Sequence, residues 1–344
     1  MGLSPEGQSR SGIASPVLGY DGENMTRRTM LATFTSAFAA RHEIGEAHTS
    51  MARSKPGLFH PALAGFFAPG TAEPIIDIHQ HTNYSGRTDE ELIAHQRTMG
   101  VTKTVLLPAG RMYGLEAGAG GNDTVVSLAK RLPAEYVFFA NELPDIDETR
   151  EVIAKCLKMG AIGIGEQKFQ VECDSEFIQK VATIAREFGV PVLLHFQHGK
   201  YNMGFDRFHK ILSMFPKVNF IGHAQTWWAN IDKKQIETQT QLYPKWKVLA
   251  GGLTDRYLSD YPNMYADMSA GSGLNALLRD EDHTRQFLKR HQDKILYGSD
   301  CNDVDGQGEK CSGSQCIAAL RRLAPDQKAL RKILHDNAAR VLKI

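Results

Sequence analysis

The residues best suited to chemistry in this sequence are histidines and acids that stand at the ends of short apolar runs. They are His79 and His81 in EPIIDIHQHT, Glu166 and Lys168 in AIGIGEQKF, His195 in VPVLLHFQ, His223 in VNFIGHA and Asp300 in KILYGSD. Strand side chains alternate between faces, so His79 and His81 are expected to point the same way, as are Glu166 and Lys168. Imidazole nitrogens and carboxylate oxygens converging from several strand ends make a ligand set for a divalent cation. An HxH pair alone carries little weight, because 13 histidines in 344 residues give about half a chance match. The shared context carries more. Each residue closes an apolar run of about five residues, the pattern of a buried parallel strand whose C-terminal end opens onto a site.

The elements that must position these groups follow from the rhythm of the chain. Strand-like runs occur as PIIDIH, TKTVLLPA, EYVFFANEL, AIGIGEQK, VPVLLHFQ, VNFIGHA, NMYADMS and KILYGSD, with helical periodicity between them. One such helix is expected to be capped by Asp174 and to bury Phe177, Val181, Ile184 and Phe188, spaced i, i+4, i+7 and i+11. The alternation predicts an α/β protein, a (β/α)8 TIM barrel over residues 74–344. A doubly wound sheet fits less well, because the ligands come from strands one, four, five, six and eight, which a barrel gathers at one mouth. On strand four, Ile162, Ile164, Glu166 and Lys168 are expected to share the inward face, opposite Ala161, Gly163, Gly165 and Gln167.

Composition narrows the function. The chain is 42% hydrophobic and 23% charged, ordinary for a globular protein. With 40 Lys and Arg against 39 Asp and Glu and no long basic run, nucleic acid is an unsuitable partner. No apolar stretch reaches the roughly 18 to 20 residues of a membrane span. A small-molecule substrate is the expected partner, and a homo-oligomer is compatible with the sequence. Near the N-terminus, Arg27 and Arg28 precede the apolar stretch LATFTSAFAA, which ends in Ala37-Phe38-Ala39. That order resembles a twin-arginine signal peptide over residues 1–39, with Met25 as an alternative start. It predicts export to a bacterial periplasm or the cell exterior, the alternative being a cytoplasmic protein with a disordered tail. Residues 40–73, with Pro56, Pro61, Pro69 and Gly70, read as a linker or N-terminal extension.

The strand-end residues over about 74–344 resemble the amidohydrolase superfamily, and within it the amidohydrolase-related group that includes aminocarboxymuconate semialdehyde decarboxylase. The closing segment ILHDNAARVLKI, with Asn337, Ala338 and Arg340, is similar to that group's C-terminal helix. The resemblance implies that His79 and His81 are strand-one metal ligands, His195 the strand-five ligand and Asp300 the strand-eight carboxylate. His223 is then either a second-metal ligand or a proton-handling residue. A strand-four Glu166 or carboxylated Lys168 would bridge two ions, whereas with one ion the two would form an ion pair. The implied cofactor is one or two divalent ions, zinc first, with manganese or iron accepting the same donors.

Such an ion lowers the pKa of a bound water to about 7. The activity this implies is hydrolysis of a C–N or C–O bond (amide, ester or lactone) in a small molecule. Asp300 would take the water's proton and deliver it to the leaving group, and His223 would polarise the carbonyl. The alternative is a metal-dependent non-oxidative decarboxylase that grips a substrate carboxylate with nearly the same ligands. A barrel that has lost catalysis and only binds is disfavoured, because none of these residues is missing.

Further candidates lie in loops. Arg111, in LLPAGRMYG after strand two, would suit a substrate carboxylate, or is a surface arginine. His198 could reach substrate or be solvated, and Trp227 and Trp228 could wall the pocket or pack inside the fold. His95, His209, His283, His291 and His335 fall in helical segments and read as structural or solvent-facing. Five cysteines exclude a complete disulfide framework. Cys301, Cys311 and Cys316, near Asp303, Asp305 and Glu309, allow one disulfide over the site, free thiols, or a small metal site lacking an obvious fourth ligand. Cys156 reads as core and Cys173 as a loop residue.

Overall fold

The apolar runs become parallel strands in the computed structural model, which describes residues 73–110, 118–236 and 239–344. The expected signal segment, the extension up to Ala72 and Arg111 lie outside the described residues. The strands are β1 (Ile76–Gln80), β2 (Lys103–Leu106), β3 (Tyr136–Phe138), β4 (Ile164–Gln167), β5 (Val192–His195), β6 (Phe220–His223), β7 (Met264–Met268) and β8 (Ile295–Tyr297). β1 to β3 pair in order, as do β4 to β8. At the β3–β4 seam Ala140 N donates to Gly163 O and Gly165 N to Ala140 O, each at 2.9 Å. At the β8–β1 seam Asp300 N donates to His79 O at 2.9 Å.

Between the strands run α1 (Asp89–Thr98), α2 (Asn122–Arg131), α3 (Thr149–Lys158), α4 (Glu176–Phe188), α5 (His209–Met214), α6 (Ala224–Ala229), α7 (Leu253–Asp260), α8 (Ala270–Leu278) and α9 (Glu281–His291). After β8 come α10 (Ser312–Leu323), α11 (Gln327–Arg331) and α12 (Asn337–Leu342). This is the expected (β/α)8 order. Local chemistry sets the helix limits: Thr88 and Glu91 form a reciprocal capping box on α1. α4 is capped by Ser175, whose hydroxyl accepts from Ile178 N, and it stops at Gly189 with φ +66°. Asp174, the expected cap, instead binds Arg207 and Lys210. The buried face of α4 is Ile178, Val181, Ala182, Ile184 and Ala185, with Phe177 and Phe188 half-buried at its edges.

Two apolar layers leave only one end of the barrel for polar chemistry. Ile76, Ile78, Val105, Leu107, Phe139, Leu193, Ile221, Tyr265 and Leu296 pack inside the strands, together with Ala338, Val341 and Leu342 of α12. The outer strand faces and the helices form a second, larger cluster. Asn337 anchors α12 by donating to Gln292 O at 2.7 Å and Ile295 O at 2.8 Å.

Two register irregularities aim the site. Pairing of β1 with β2 shifts between Asp77 and Gln80, so Ile76 and Ile78 face the apolar interior and yet His79 and His81 also turn inward. A similar shift in β4 lies between Ile164 and Gln167. The face expected for strand four is corrected accordingly: Ile162 packs against the inner cluster, Ile164 belongs to the outer one, and Glu166 points into the mouth.

Candidate metal centre

At the C-terminal ends of the strands, four side-chain atoms meet. His79 Nε2 lies 3.2 Å from His81 Nε2, and both lie 3.6 Å from Glu166 Oε2. Asp300 Oδ1 is 3.8 Å from His79 Nε2 and 3.6 Å from His81 Nε2. Donors about 2.1 Å from a tetrahedral ion stand about 3.4 Å apart, and these five separations scatter around that edge. Asp300 Oδ1 is buried with no hydrogen-bond partner. An orphaned acceptor is costly unless a cation fills the space. The donor set therefore fits a divalent ion held by His79, His81, Glu166 and Asp300.

Outer contacts fix the rings. His81 Nδ1 donates to the Leu107 carbonyl at 2.7 Å, which leaves its Nε2 lone pair aimed at the centre. His79 Nδ1 donates to Asp267 Oδ2 at 2.6 Å. The same oxygen accepts from Ser269 Oγ at 2.8 Å and lies 3.0 Å from His223 Nδ1. His223 Nε2 in turn lies 3.4 Å from Asp300 Oδ2, so Asp300 is shared between the donor group and His223. Asp300 holds a left-handed backbone, φ +40°, as does Ala224 after His223 at φ +81°. Such conformations in non-glycine residues concentrate at functional sites.

Glu166 faces two ways. Its Oε1 accepts from His195 Nδ1 at 2.5 Å and lies 3.6 Å from His223 Nε2. His195 thus stands on the far side of Glu166 from the tetrahedral group. Lys168, expected as a possible bridge, is half-buried with its Nζ 5.5 Å from the centre of the Tyr201 ring. No Lys168–Glu166 ion pair occurs among the described residues.

Electrostatics suit a cation. Burial opposes ionisation of Glu166, but His195 and His79 outweigh it and hold the carboxyl well below its usual range. Asp300 behaves alike: burial raises it, and His79, His223 and His81 bring it well below the ordinary value. Burial pushes His195 down to about 4 despite Glu166, so it is neutral at pH 7. Burial also opposes a proton on His79, yet Asp300 and Asp267 keep it well above the usual range. A bound cation would replace that proton.

Among the loop candidates, His198 is exposed, with its backbone N donating to Thr226 Oγ1 at 2.7 Å. Trp227 is fully buried against Phe196 and Phe205, which corrects its expected place on the pocket wall. Trp228 is buried too and donates to Asp267 O at 2.9 Å. Of the helical histidines, His95, His283 and His291 are buried, His209 is exposed and His335 is half-buried. All five cysteines are free and buried, so of the alternatives for Cys301, Cys311 and Cys316 the disulfide is not formed; Cys156 is core, and Cys173 gives its S–H to Gly204 O at 2.9 Å.

Three residues of the site escaped the sequence reading. Asp267 and Ser269 lie in and after β7, in the run NMYADMS, where an acid on the same face as Tyr265 was the available signal. Tyr84 follows β1, with its ring 4.9 Å from that of His81. The Asp300 charge together with burial pushes the pKa of the Tyr84 hydroxyl up. No pattern in the sequence marks it.

Comparison with known proteins bears out the resemblance to the amidohydrolase superfamily. Residues 254–344 match the family model described as Amidohydrolase. An uncharacterized TIM-barrel protein from Bordetella bronchiseptica superposes with TM-score 0.57 at 15% identity, covering 78% of this chain and 98% of that one. A 2,6-dihydroxybenzoate decarboxylase from Rhizobium gives 0.52 at 15%, covering 79% and 99%. A Pseudomonas putida protein assigned as a 2-pyrone-4,6-dicarboxylic acid hydrolase gives 0.55 at 15%, covering 79% and 98%. No curated protein sequence matches the chain. At these identities the structures show the fold, a TIM barrel, and they include both decarboxylase and hydrolase names. No helix among the described residues is long and apolar enough to cross a membrane.

Proposed function

We propose that this chain is a metal-dependent hydrolase that cleaves a C–N or C–O bond, in an amide, ester or lactone, of a small molecule. The observation that carries the reading is the shared carboxylate of Asp300: Oδ1 belongs to the tetrahedral group and Oδ2 lies 3.4 Å from His223 Nε2. A divalent ion held by His79, His81, Glu166 and Asp300, zinc first with manganese or iron accepting the same donors, would have to take one further ligand beyond these four, and would then supply Lewis acidity and bring a water's pKa to about 7. Asp300 is ionised at neutral pH, so it can accept a proton and return it to a leaving atom. His223 is backed through Nδ1 by Ser269 and Asp267, which leaves Nε2 turned to the mouth to stabilise developing negative charge. His195 secures Glu166. His79, His81, Glu166 and Asp300 make one donor group, and Glu166, His195 and His223 make a second beside it.

A second reading, non-oxidative decarboxylation of a small carboxylic acid, draws on the structural likeness to the Rhizobium 2,6-dihydroxybenzoate decarboxylase. Turnover in ¹⁸O-labelled water separates the two. A hydrolase places solvent oxygen in its product, and Asp300→Asn lowers turnover roughly 10²-fold to 10⁴-fold. Release of CO2 without oxygen incorporation would establish the decarboxylase instead.

A further inference from the structure

Behind the barrel mouth, four soft or nitrogen donors meet in a second buried group. Cys301 follows Asp300, Cys311 caps α10, His95 lies on α1, and Met99 closes that helix. Cys301 Sγ is 3.7 Å from Cys311 Sγ, which is 3.4 Å from His95 Nε2 and 3.7 Å from Met99 Sδ. His95 and Cys311 are wholly buried, and Cys301 and Met99 nearly so. Sulfur ligands about 2.3 Å and nitrogen about 2.1 Å from a tetrahedral ion stand roughly 3.6 to 3.8 Å apart. The three edges that meet at Cys311 run from 3.4 to 3.7 Å, close to that shell, and a disulfide would need the sulfurs to close to about 2.05 Å.

The imidazole is already set for coordination. Gln96 Nε2 donates to Asp77 Oδ2 at 2.9 Å and Thr104 Oγ1 at 2.8 Å, so its Oε1 must accept. That oxygen takes His95 Nδ1–H at 3.0 Å, leaving the Nε2 lone pair facing Cys311. Ser314 N also donates to Cys311 Sγ at 3.3 Å, a hydrogen bond that a coordinated sulfur would keep. The fourth donor absent from the sequence pattern is supplied from α1, more than 200 residues away in the chain.

We infer that Cys301, Cys311 and His95, with Met99 as the fourth donor, form a structural site for a soft d10 cation, zinc or copper(I). Thiolate and thioether sulfur select such ions, whereas the barrel mouth offers only nitrogen and oxygen. Binding releases two thiol protons to solvent and changes no oxidation state. The ion would tie the loop after β8, and so the backbone of Asp300, to α1. The site does not depend on the reaction proposed above.

Cobalt(II) added to the purified, metal-free, reduced full-length chain separates the two centres, because only thiolate ligands give an intense near-ultraviolet charge-transfer band. The band is expected in the wild type and lost in Cys311→Ser. If that variant fails to fold, the wild-type spectrum decides alone. Parallel titrations with zinc, and with copper(I) under anaerobic chelator competition, name the ion by which one binds in a Cys311-dependent way. Absence of the thiolate band, or a Cys301–Cys311 disulfide found by alkylation and mass analysis of the native protein, would overturn the assignment.

Discussion

Replacing Asp267 by Asn tests whether an outer contact sets the affinity of the metal centre. The carboxylate accepts from His79 Nδ1 at 2.6 Å and from Ser269 Oγ at 2.8 Å, and it lies 3.0 Å from His223 Nδ1. Asn keeps the shape but loses the charge that makes His79 Nε2 a strong donor. Removing such a partner typically costs 10-fold to 100-fold in metal affinity, which is about 1.4 to 2.7 kcal/mol. A second effect runs the other way. Asp267 helps hold the proton on metal-free His79, so at low pH the wild type loses more affinity to proton competition than the variant does. The deficit of the variant should therefore be largest in alkaline buffer, where proton competition for His79 is weakest, and should shrink as the pH falls. Zinc competition against a chromophoric chelator across pH measures it, with thermal melting to confirm the fold. Affinity within twofold of wild type at alkaline pH, in a folded variant, would refute the reasoning.

The fold and the surface offer further tests. A Cβ at Gly222 would stand 2.4 Å from Trp227 Cε3, so Gly222→Ala must displace a fully buried indole and should cost about 1 to 3 kcal/mol, read from the denaturant midpoint. An unchanged midpoint would show that the indole moves freely. Asp255 accepts from His291 at 2.5 Å and from Arg290, and although burial raises it these partners bring its carboxyl below the ordinary value. A depressed carboxylate stabilises the fold above its unfolded pKa of about 3.9 and loses that contribution as the pH falls through the folded value. Asp255→Asn should therefore lower stability at pH 7 by about 1 to 2 kcal/mol and converge with wild type in acid, measured by urea unfolding at both pH values. A deficit that persists unchanged in acid would exclude this linkage.

Much of the centre was legible in the sequence because its ligands end strands. Strand ends are marked by composition: an apolar run stops where a polar residue enters the mouth, and His79, His81, Glu166, His195, His223 and Asp300 all show that edge. Lys168 shows it as well and yet stands over Tyr201, because alternation assumes a regular strand and β4 has a register shift. Trp227 failed for a different reason. It follows a strand end, but the direction of an indole is decided by what it packs on, here Phe196 and Phe205.

The sequence by itself determined the eight β/α units, the candidate ligand residues and the end of the barrel at which they gather, since period and strand-end chemistry are local properties of the chain. The tertiary structure alone decided which atoms face one another. It set Asp267 behind His79 across 188 residues, gave the two oxygens of Glu166 to different histidines, and brought His95 to Cys311 across 216. Those pairings depend on side-chain direction and on register shifts of a single residue. Neither leaves a trace in composition or spacing, because each is fixed only when the strands pair and the helices close over them.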